Sequence, residues 1–234
     1  MSRMLSTCEN VSRAADLLED KLHLCPGDRP PIVKTDLSLP DGQKKLAFFL
    51  ENVMTKQECD AYIKKTEKMG YKRALLTIGK DTQVLRKDIR NSYRCVWDSE
   101  EQANILWQRI EPYIPTDFNS RWKPLGLNKR LRFLRYDPGE YFKPHYDGFF
   151  EAENGDRSFI TAQLYLNEGF EGGSTTFLST SGNDSQARPL VPRTGSVLIF
   201  QHNIFHEGSI LVKGRKYAMR TDVMFTPVKL PDDA

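Results

Sequence analysis

From Lys129 to Phe225 the chain breaks into short apolar or alternating runs separated by Gly, Pro and Asn, and that spacing is the strongest constraint on its fold. Helices need longer unbroken periods, so this half is read as strands. The runs fall near 130–136, 159–167, 175–178, 196–200 and 215–225. Many short strands joined by turns fit a double-sheet jelly roll of the cupin kind. Side chains alternate between the faces of a strand. In the last run Lys216, Ala218, Arg220 and Asp222 therefore share one face, while Tyr217, Met219, Val223 and Phe225 lie mostly on the other, and Arg215 falls away from the polar face. In the second run Thr161, Gln163 and Tyr165 oppose Ile160, Ala162, Leu164 and Leu166. A barrel with a polar interior is expected.

The first half supplies helices. Leu46 to Leu50 reads as a strand, followed by a helix with a Thr55/Glu58 capping box and Gly70 as its stop. A second helix starts at Ser99 with Gln102 three residues on, buries Ala103, Leu106, Trp107 and Ile110, and is ended by Pro112 and Pro115. Both are expected outside the sheet, so the fold class is mainly β with flanking helices (α+β). Upstream, Val11, Ala14, Ala15, Leu18 and Leu22 have the spacing of a short amphipathic helix, and 25–45 is rich in Pro, Asp and Lys like a linker. The domain reading is a tail over 1–45 and one domain over 46–228, with the jelly-roll core at about 130–226. A chain of 234 residues is ample for one such domain.

Charged residues make up 28% and hydrophobic ones 39%, as in a soluble globular protein, and a net charge of +3 is too small to argue for nucleic acid or membrane binding. Cys8, Cys25, Cys59 and Cys95 form no C-x-x-C pair and read as free thiols. The polar start of the chain lacks a secretory layout, and no stretch is long and apolar enough to span a bilayer, so cytoplasm or nucleus is the expected location.

His145-Tyr146-Asp147 is an H-x-D pair, and His202 and His206 both follow a strand downstream. Two neutral imidazoles and one carboxylate occupy one face of an octahedral Fe(II) and leave three positions for a co-substrate and dioxygen. Residues i and i+2 of an extended segment point the same way, which suits the pair, and Tyr146 must point elsewhere. An isolated H-x-D pair is more often a surface hydrogen bond than a metal site.

Its context is more specific. Arg135-Tyr136-Asp137-Pro138-Gly139-Glu140-Tyr141-Phe142-Lys143-Pro144-His145-Tyr146-Asp147-Gly148 resembles the first metal-binding strand of the prolyl 4-hydroxylase-like Fe(II)/2-oxoglutarate dioxygenases. The resemblance continues through Ile160 to Asn167, Gly172 to Phe177, Pro192 to Phe200, His206-Glu207-Gly208 and Gly214-Arg215-Lys216-Tyr217, in order, over roughly 130–226. It implies a jelly roll in which His145, Asp147 and His206 bind iron, with His202 a bystander. It implies that Lys216 holds the far carboxylate of 2-oxoglutarate, that Tyr165 donates its hydroxyl to that carboxylate, and that Tyr136 lines the same pocket. Arg220 either reaches the co-substrate's other carboxylate or neutralises Asp222.

The implied reaction consumes 2-oxoglutarate and O2, yields succinate and CO2, and hydroxylates a C–H bond, with Asp147 favouring hydroxylation over halogenation and L-ascorbate a further cofactor. A peptidyl substrate is the first expectation and a free amino acid or small metabolite the alternative. A non-catalytic jelly-roll binding module is the alternative from another class. A nucleic-acid substrate is not expected, because positions six beyond Arg215 and Arg220 hold Thr221 and Thr226 rather than arginine. Basic residues Arg86, Lys87, Arg90 and Arg94 in the preceding loop either grip an acidic group or form a solvated face.

Overall fold

The computed structural model describes residues 29–78 and 82–228. The expected helix over 9–24, together with His23, Cys8 and Cys25, lies outside the described residues.

Two antiparallel sheets form the body. The nine-stranded major sheet runs in the order β1 (Val33–Asp36), β2 (Ala47–Glu51), β15 (Val197–Gln201), β11 (Arg157–Tyr165), β18 (Lys216–Pro227), β9 (Arg130–Tyr136), β7 (Tyr93–Asp98) and β3 (Lys72–Arg73), with β8 (Trp122–Leu127) also paired to β18. The five-stranded minor sheet runs β14 (Arg188–Leu190), β13 (Thr175–Phe177), β16 (His206–Gly208), β10 (Tyr141–His145) and β6 (Arg90–Asn91). Two small ribbons, β4 (Leu76–Ile78) with β5 (Thr82–Val84) and β12 (Glu171–Gly172) with β17 (Leu211–Lys213), lie at the rim. Mostly antiparallel strands in two sheets are the jelly-roll architecture expected from the spacing of the strand runs.

Helices α1 (Lys56–Met69) and α2 (Glu100–Ile110) cover the outer face of the major sheet. In α1 both capping-box bonds form, from Glu58 N to Thr55 Oγ1 at 3.2 Å and from Thr55 N to Glu58 Oε2 at 2.7 Å, and Gly70 ends the helix at φ 90°. In α2 the Ser99 hydroxyl accepts from Gln102 N. Cys59, Tyr62, Leu106, Trp107 and Ile110 from the helices meet Leu131, Phe133, Ile160, Leu164, Met219 and Phe225 from the sheet. Truncating one of these, as in Leu106→Ala, costs about 2–5 kcal/mol. A second cluster, with Phe49, Phe177, Leu198, Phe200 and Ile204, closes one end of the space between the sheets. The other end of that space is polar.

The lead-in differs from the linker read in the sequence. Residues 33–36 form β1 against β2, Arg29 Nη1 donates to Val53 O at 2.7 Å, and Asp41 accepts from Ser179 Oγ and Thr180 N. Every residue of β1 is exposed, so no apolar alternation marks it in the sequence, and its partner strand supplies the order. Residues from about 29 onward therefore pack with the domain placed at 46–228. Among the described residues no helix is long and apolar enough to cross a membrane.

Candidate iron and 2-oxoglutarate site

His145 ends β10, Asp147 follows it, and His206 opens β16, the neighbouring strand, where His145 and His206 stand opposite one another in the register. One ligand atom from each of the three lies within 4.8 Å of the others. His145 Nε2 is 3.6 Å from Asp147 Oδ1, and His206 Nε2 is 3.9 Å from Asp147 Oδ2. Each imidazole turns its other nitrogen to a backbone carbonyl two residues before it: His145 Nδ1 to Lys143 O at 2.8 Å and His206 Nδ1 to Ile204 O at 2.9 Å. Such a bond fixes the Nδ1–H tautomer and leaves the Nε2 lone pair for a metal. Phe142 stacks on His145 at 3.6 Å and Phe200 meets His206 edge-on at 4.8 Å, so packing also holds both rings. Tyr146 turns out to solvent against Phe205.

The charges suit a divalent cation. Burial lowers the His206 imidazole to about 4, leaving it neutral at pH 7. Burial works to raise the Asp147 carboxyl, but the Arg220 guanidinium, with the two imidazoles, holds it well below the usual range. Thr161 Oγ1 donates to Asp147 Oδ2 at 2.6 Å, Arg220 Nη1 reaches Oδ1 at 2.8 Å, and the Asp147 amide donates to His202 O. Two imidazole nitrogens and one ionised, hydrogen-bonded oxygen on one side of a pocket are a fitting Fe(II) donor set.

The pocket encloses about 460 Å³ including its open mouth, and its far wall carries Lys216. Lys216 is 3% exposed, its Nζ donates to Gly173 O at 2.6 Å, and burial lowers it to about 7. Gly173 has φ +67°, a conformation that favours glycine, and a Cβ there would crowd Leu211 Cδ1 at 2.9 Å. Tyr136 lines the pocket, with its ring 5.3 Å from Lys216 Nζ. A buried cation facing the donor set, without a carboxylate partner among the described residues, fits one end of a dicarboxylate.

Not every expected contact is present. The Tyr165 hydroxyl donates to Thr175 Oγ1 at 2.7 Å, and Thr175 rather than Tyr165 lines the pocket. Tyr165 thus stands one residue behind the wall, 5.6 Å from Lys216 Nζ measured at its ring. Arg220 pairs with Asp222 at 3.1 Å as well as with Asp147, which takes both of its Nη groups. His202 is buried beside Asp222, with its Nε2 3.6 Å from Oδ1, and contributes no ligand to the cluster. Sequence reasoning passed over Thr175 and the closing of Arg90 over Phe142 at 4.6 Å. Thr175 carried a faint signal, since it opens a strand between the glycine pair and Phe177, whereas the direction of Arg90 depends on a β6–β10 pairing that no local pattern announces.

The profile of the 2OG-Fe(II) oxygenase superfamily matches residues 131–221, the stretch that carries every residue of this site except Arg90. Prolyl 4-hydroxylase 13 of Arabidopsis thaliana is 27% identical over 193 residues, covering 73% of this chain and 68% of that protein. Probable prolyl 4-hydroxylase 10 of the same plant is 25% identical over 197 residues, covering 74% and 66%. The matched part is thus about two thirds of each plant protein. Among solved structures, a Trichoplax adhaerens prolyl hydroxylase in complex with a hypoxia inducible factor peptide fragment superposes with TM-score 0.59 at 15% identity, covering 76% of this chain and 82% of that one. A Pseudomonas putida prolyl-4-hydroxylase gives TM-score 0.54 at 16% identity, covering 77% and 92%. At those identities the structures establish the shared jelly roll. With the donor set and the buried lysine on that roll, residues 131–221 match a 2OG-Fe(II) oxygenase domain, and the chain is similar in sequence to the plant prolyl 4-hydroxylases.

Proposed function

We propose that this dioxygenase hydroxylates a prolyl residue in a peptide, with L-ascorbate as supporting reductant. The observation that carries the reading is the coexistence, in one pocket, of the His145/Asp147/His206 donors and the buried Lys216. His145, Asp147 and His206 would hold an Fe(II) that would supply dioxygen activation coupled to decarboxylation of 2-oxoglutarate and oxidation of a C–H bond. The protein's own contribution is positional. His145 and His206 turn their Nε2 atoms to the metal position because Nδ1 of each is held on a carbonyl. Asp147 stays ionised beside Arg220, and Thr161 holds its second oxygen. Lys216 anchors the 5-carboxylate of 2-oxoglutarate, Tyr136 lines its channel, and Tyr165 fixes the Thr175 hydroxyl that faces it.

A peptide is supported by the exposed aromatic residues Tyr146, Phe149 and Phe150 that follow His145 in the chain, and by the prolyl hydroxylase names of the similar proteins. Arg157 lies over the Phe149 ring at 3.6 Å. Cytoplasm is the proposed compartment, supported by Cys59 and Cys95 as buried free thiols.

Succinate release with Fe(II), ascorbate and a panel of prolyl peptides, free amino acids and oligonucleotides tests the reading. Peptide-dependent succinate with hydroxyproline in the product is expected, His145→Ala should reduce it to background, and His202→Ala should keep most of it. Succinate stimulated only by free amino acids would replace the peptide with a small substrate. Equal loss in both histidine variants would overturn the choice of ligands.

A further inference from the structure

Beside Arg220, which holds Asp147, stand three arginines that the chemistry at the metal does not use. Tyr93 and Cys95 of β7 turn towards the helices, so Arg94 turns the other way, onto the concave side of the major sheet. There it stands directly opposite Leu134 of β9, a wall residue of the pocket. Arg132, two residues along β9 on the same face, stands opposite Arg220 of β18. Direct pairing brings the Cβ atoms of Arg132 and Arg220 to about 5 Å, Arg94 lies on the diagonal from Arg132 at roughly 7 Å, and Arg90 closes this cationic strip from the minor sheet.

Their partners do not balance them. Arg220 and Arg132 share Asp222, and Arg220 also takes Asp147. Asp98, the next acid along β7, is taken by Arg130. Arg94 has only the amide oxygen of Gln83 at 3.3 Å, and Arg90 only the Ser92 hydroxyl at 3.4 Å and the Phe142 ring, with no carboxylate among the described residues. Four arginines thus meet two aspartates, and on the other wall Lys216 and Glu207 add one charge of each sign without pairing. Fe(II) and 2-oxoglutarate, a dication and a dianion, leave that surplus of two positive charges unchanged. Half-buried guanidinium groups packed against like charges are unfavourable unless an anion joins them. Burial and the neighbouring Arg132 and Arg130 both work against the charge on Arg94.

We propose that Arg94, flanked by Arg90 and Arg132, is a specificity-determining residue that receives a carboxylate of the substrate. The inference rests on the hydroxylase reading above and narrows it to substrates with an acidic group near the oxidised residue. In a peptide that group is an Asp or Glu side chain beside the proline, and in a free acid it is the substrate's own carboxylate. A charge-assisted, two-pronged arginine contact matches either.

The test compares kcat/KM, by succinate release from the iron-loaded enzyme, for prolyl peptides identical except for Glu, Gln or Lys next to proline, with free proline and free glutamate as further arms. The wild type should favour the Glu peptide over the Lys peptide by about ten- to a hundredfold. Arg94→Glu should reverse the order and Arg94→Gln should flatten it, with melting curves confirming that both variants are folded. Equal kcat/KM across the charged series, or an order unchanged in Arg94→Glu, would overturn the arginine site while leaving peptide hydroxylation intact. Turnover of the free acids alone, suppressed by Arg94→Glu, would keep the arginine site and remove the peptide. If no arm turns over, calorimetry of the same compounds against anaerobic protein loaded with Mn(II) and 2-oxoglutarate reads the same preference, and charge-indifferent or absent binding overturns the proposal.

Discussion

Lys216 and Arg220 stand four residues apart on one face of β18, and they end in opposite electrostatic situations. Arg220 is bracketed by two carboxylates, Asp147 at 2.8 Å and Asp222 at 3.1 Å, and Asp222 is also held by Arg132 at 3.1 Å. Lys216 has one backbone carbonyl and two aromatic rings. A buried charge that is paired serves the folded chain itself, by keeping a neighbouring carboxylate ionised and in place. A buried charge that is not paired is unfavourable until a ligand brings the missing anion. On the proposed reading the two ends of one strand face divide the work, the Arg220 end orienting a metal ligand and the Lys216 end awaiting the co-substrate.

Replacing each cation by methionine should break the comparison most visibly. Arg220→Met leaves two buried carboxylates short of a partner and should destabilise the metal-free protein by about 3 kcal/mol, because removing one member of a buried ion pair strands the other. Lys216→Met removes an uncompensated charge while keeping the apolar stem, and should be neutral or stabilising by about 1 kcal/mol. Urea unfolding of both variants reads the difference. The 2-oxoglutarate requirement should move the other way, rising at least tenfold in Lys216→Met. Equal destabilisation in the two variants would show that Lys216 is a structural lysine.

The β9 strand, both helix caps and the polar face of β18 are legible in the chain because each rests on a local rule: alternation with period 2, a hydroxyl three residues before an acid or amide, or a glycine stop. The triad is legible for the same reason in part, since His145 and Asp147 are near neighbours on one extended segment. What the chain does not display is the register between distant segments. That Arg132 stands opposite Arg220, and so reaches Asp222 on the same face, depends on the β9–β18 pairing. The hydroxyl of Tyr165 goes to Thr175 because β13 lies across the pocket from β11, which no periodicity reveals. Strands as short as β6, β10 and β16 hold their shape through partners, so their sequences need not look like strands.

The same pair of cations separates by pH. Lys216 is lowered by burial to about 7, against 10.5 for a free lysine, so between those values the unfolded chain carries a proton that the folded, ligand-free protein does not. Stability then rises with pH across that window, by about 2 kcal/mol from pH 7 to pH 9, and falls to its lower level once both states are protonated below 7. Subtracting the profile of Lys216→Met isolates this contribution, and a flat difference would reject it. Binding the dicarboxylate restores the charge on Lys216. Its affinity should accordingly fall as pH rises above 7, with proton uptake measurable by calorimetry in buffers of different ionisation enthalpy. Arg220, held between two aspartates, offers no comparable step.

Thr161→Val sharpens the Arg220 end with the smallest expected change. The Thr161 hydroxyl is buried and donates to Asp147 Oδ2 at 2.6 Å, while Arg220 holds Oδ1. Valine keeps the shape and the β-branched rotamer but withdraws one of the two donors that orient the carboxylate. Partners of this kind set metal affinity by about ten- to a hundredfold, and with Arg220 still in place the lower figure applies. Co(II) titration of the anaerobic protein should therefore show affinity about tenfold weaker, near 1.4 kcal/mol, with little change in the unfolding midpoint without metal. The ordering of the two variants carries the argument. If Thr161→Val weakened the metal as much as Arg220→Met does, the hydroxyl and not the guanidinium would be the main support of Asp147. Arg220 would then be a counter-ion for Asp222 that only happens to touch the metal ligand.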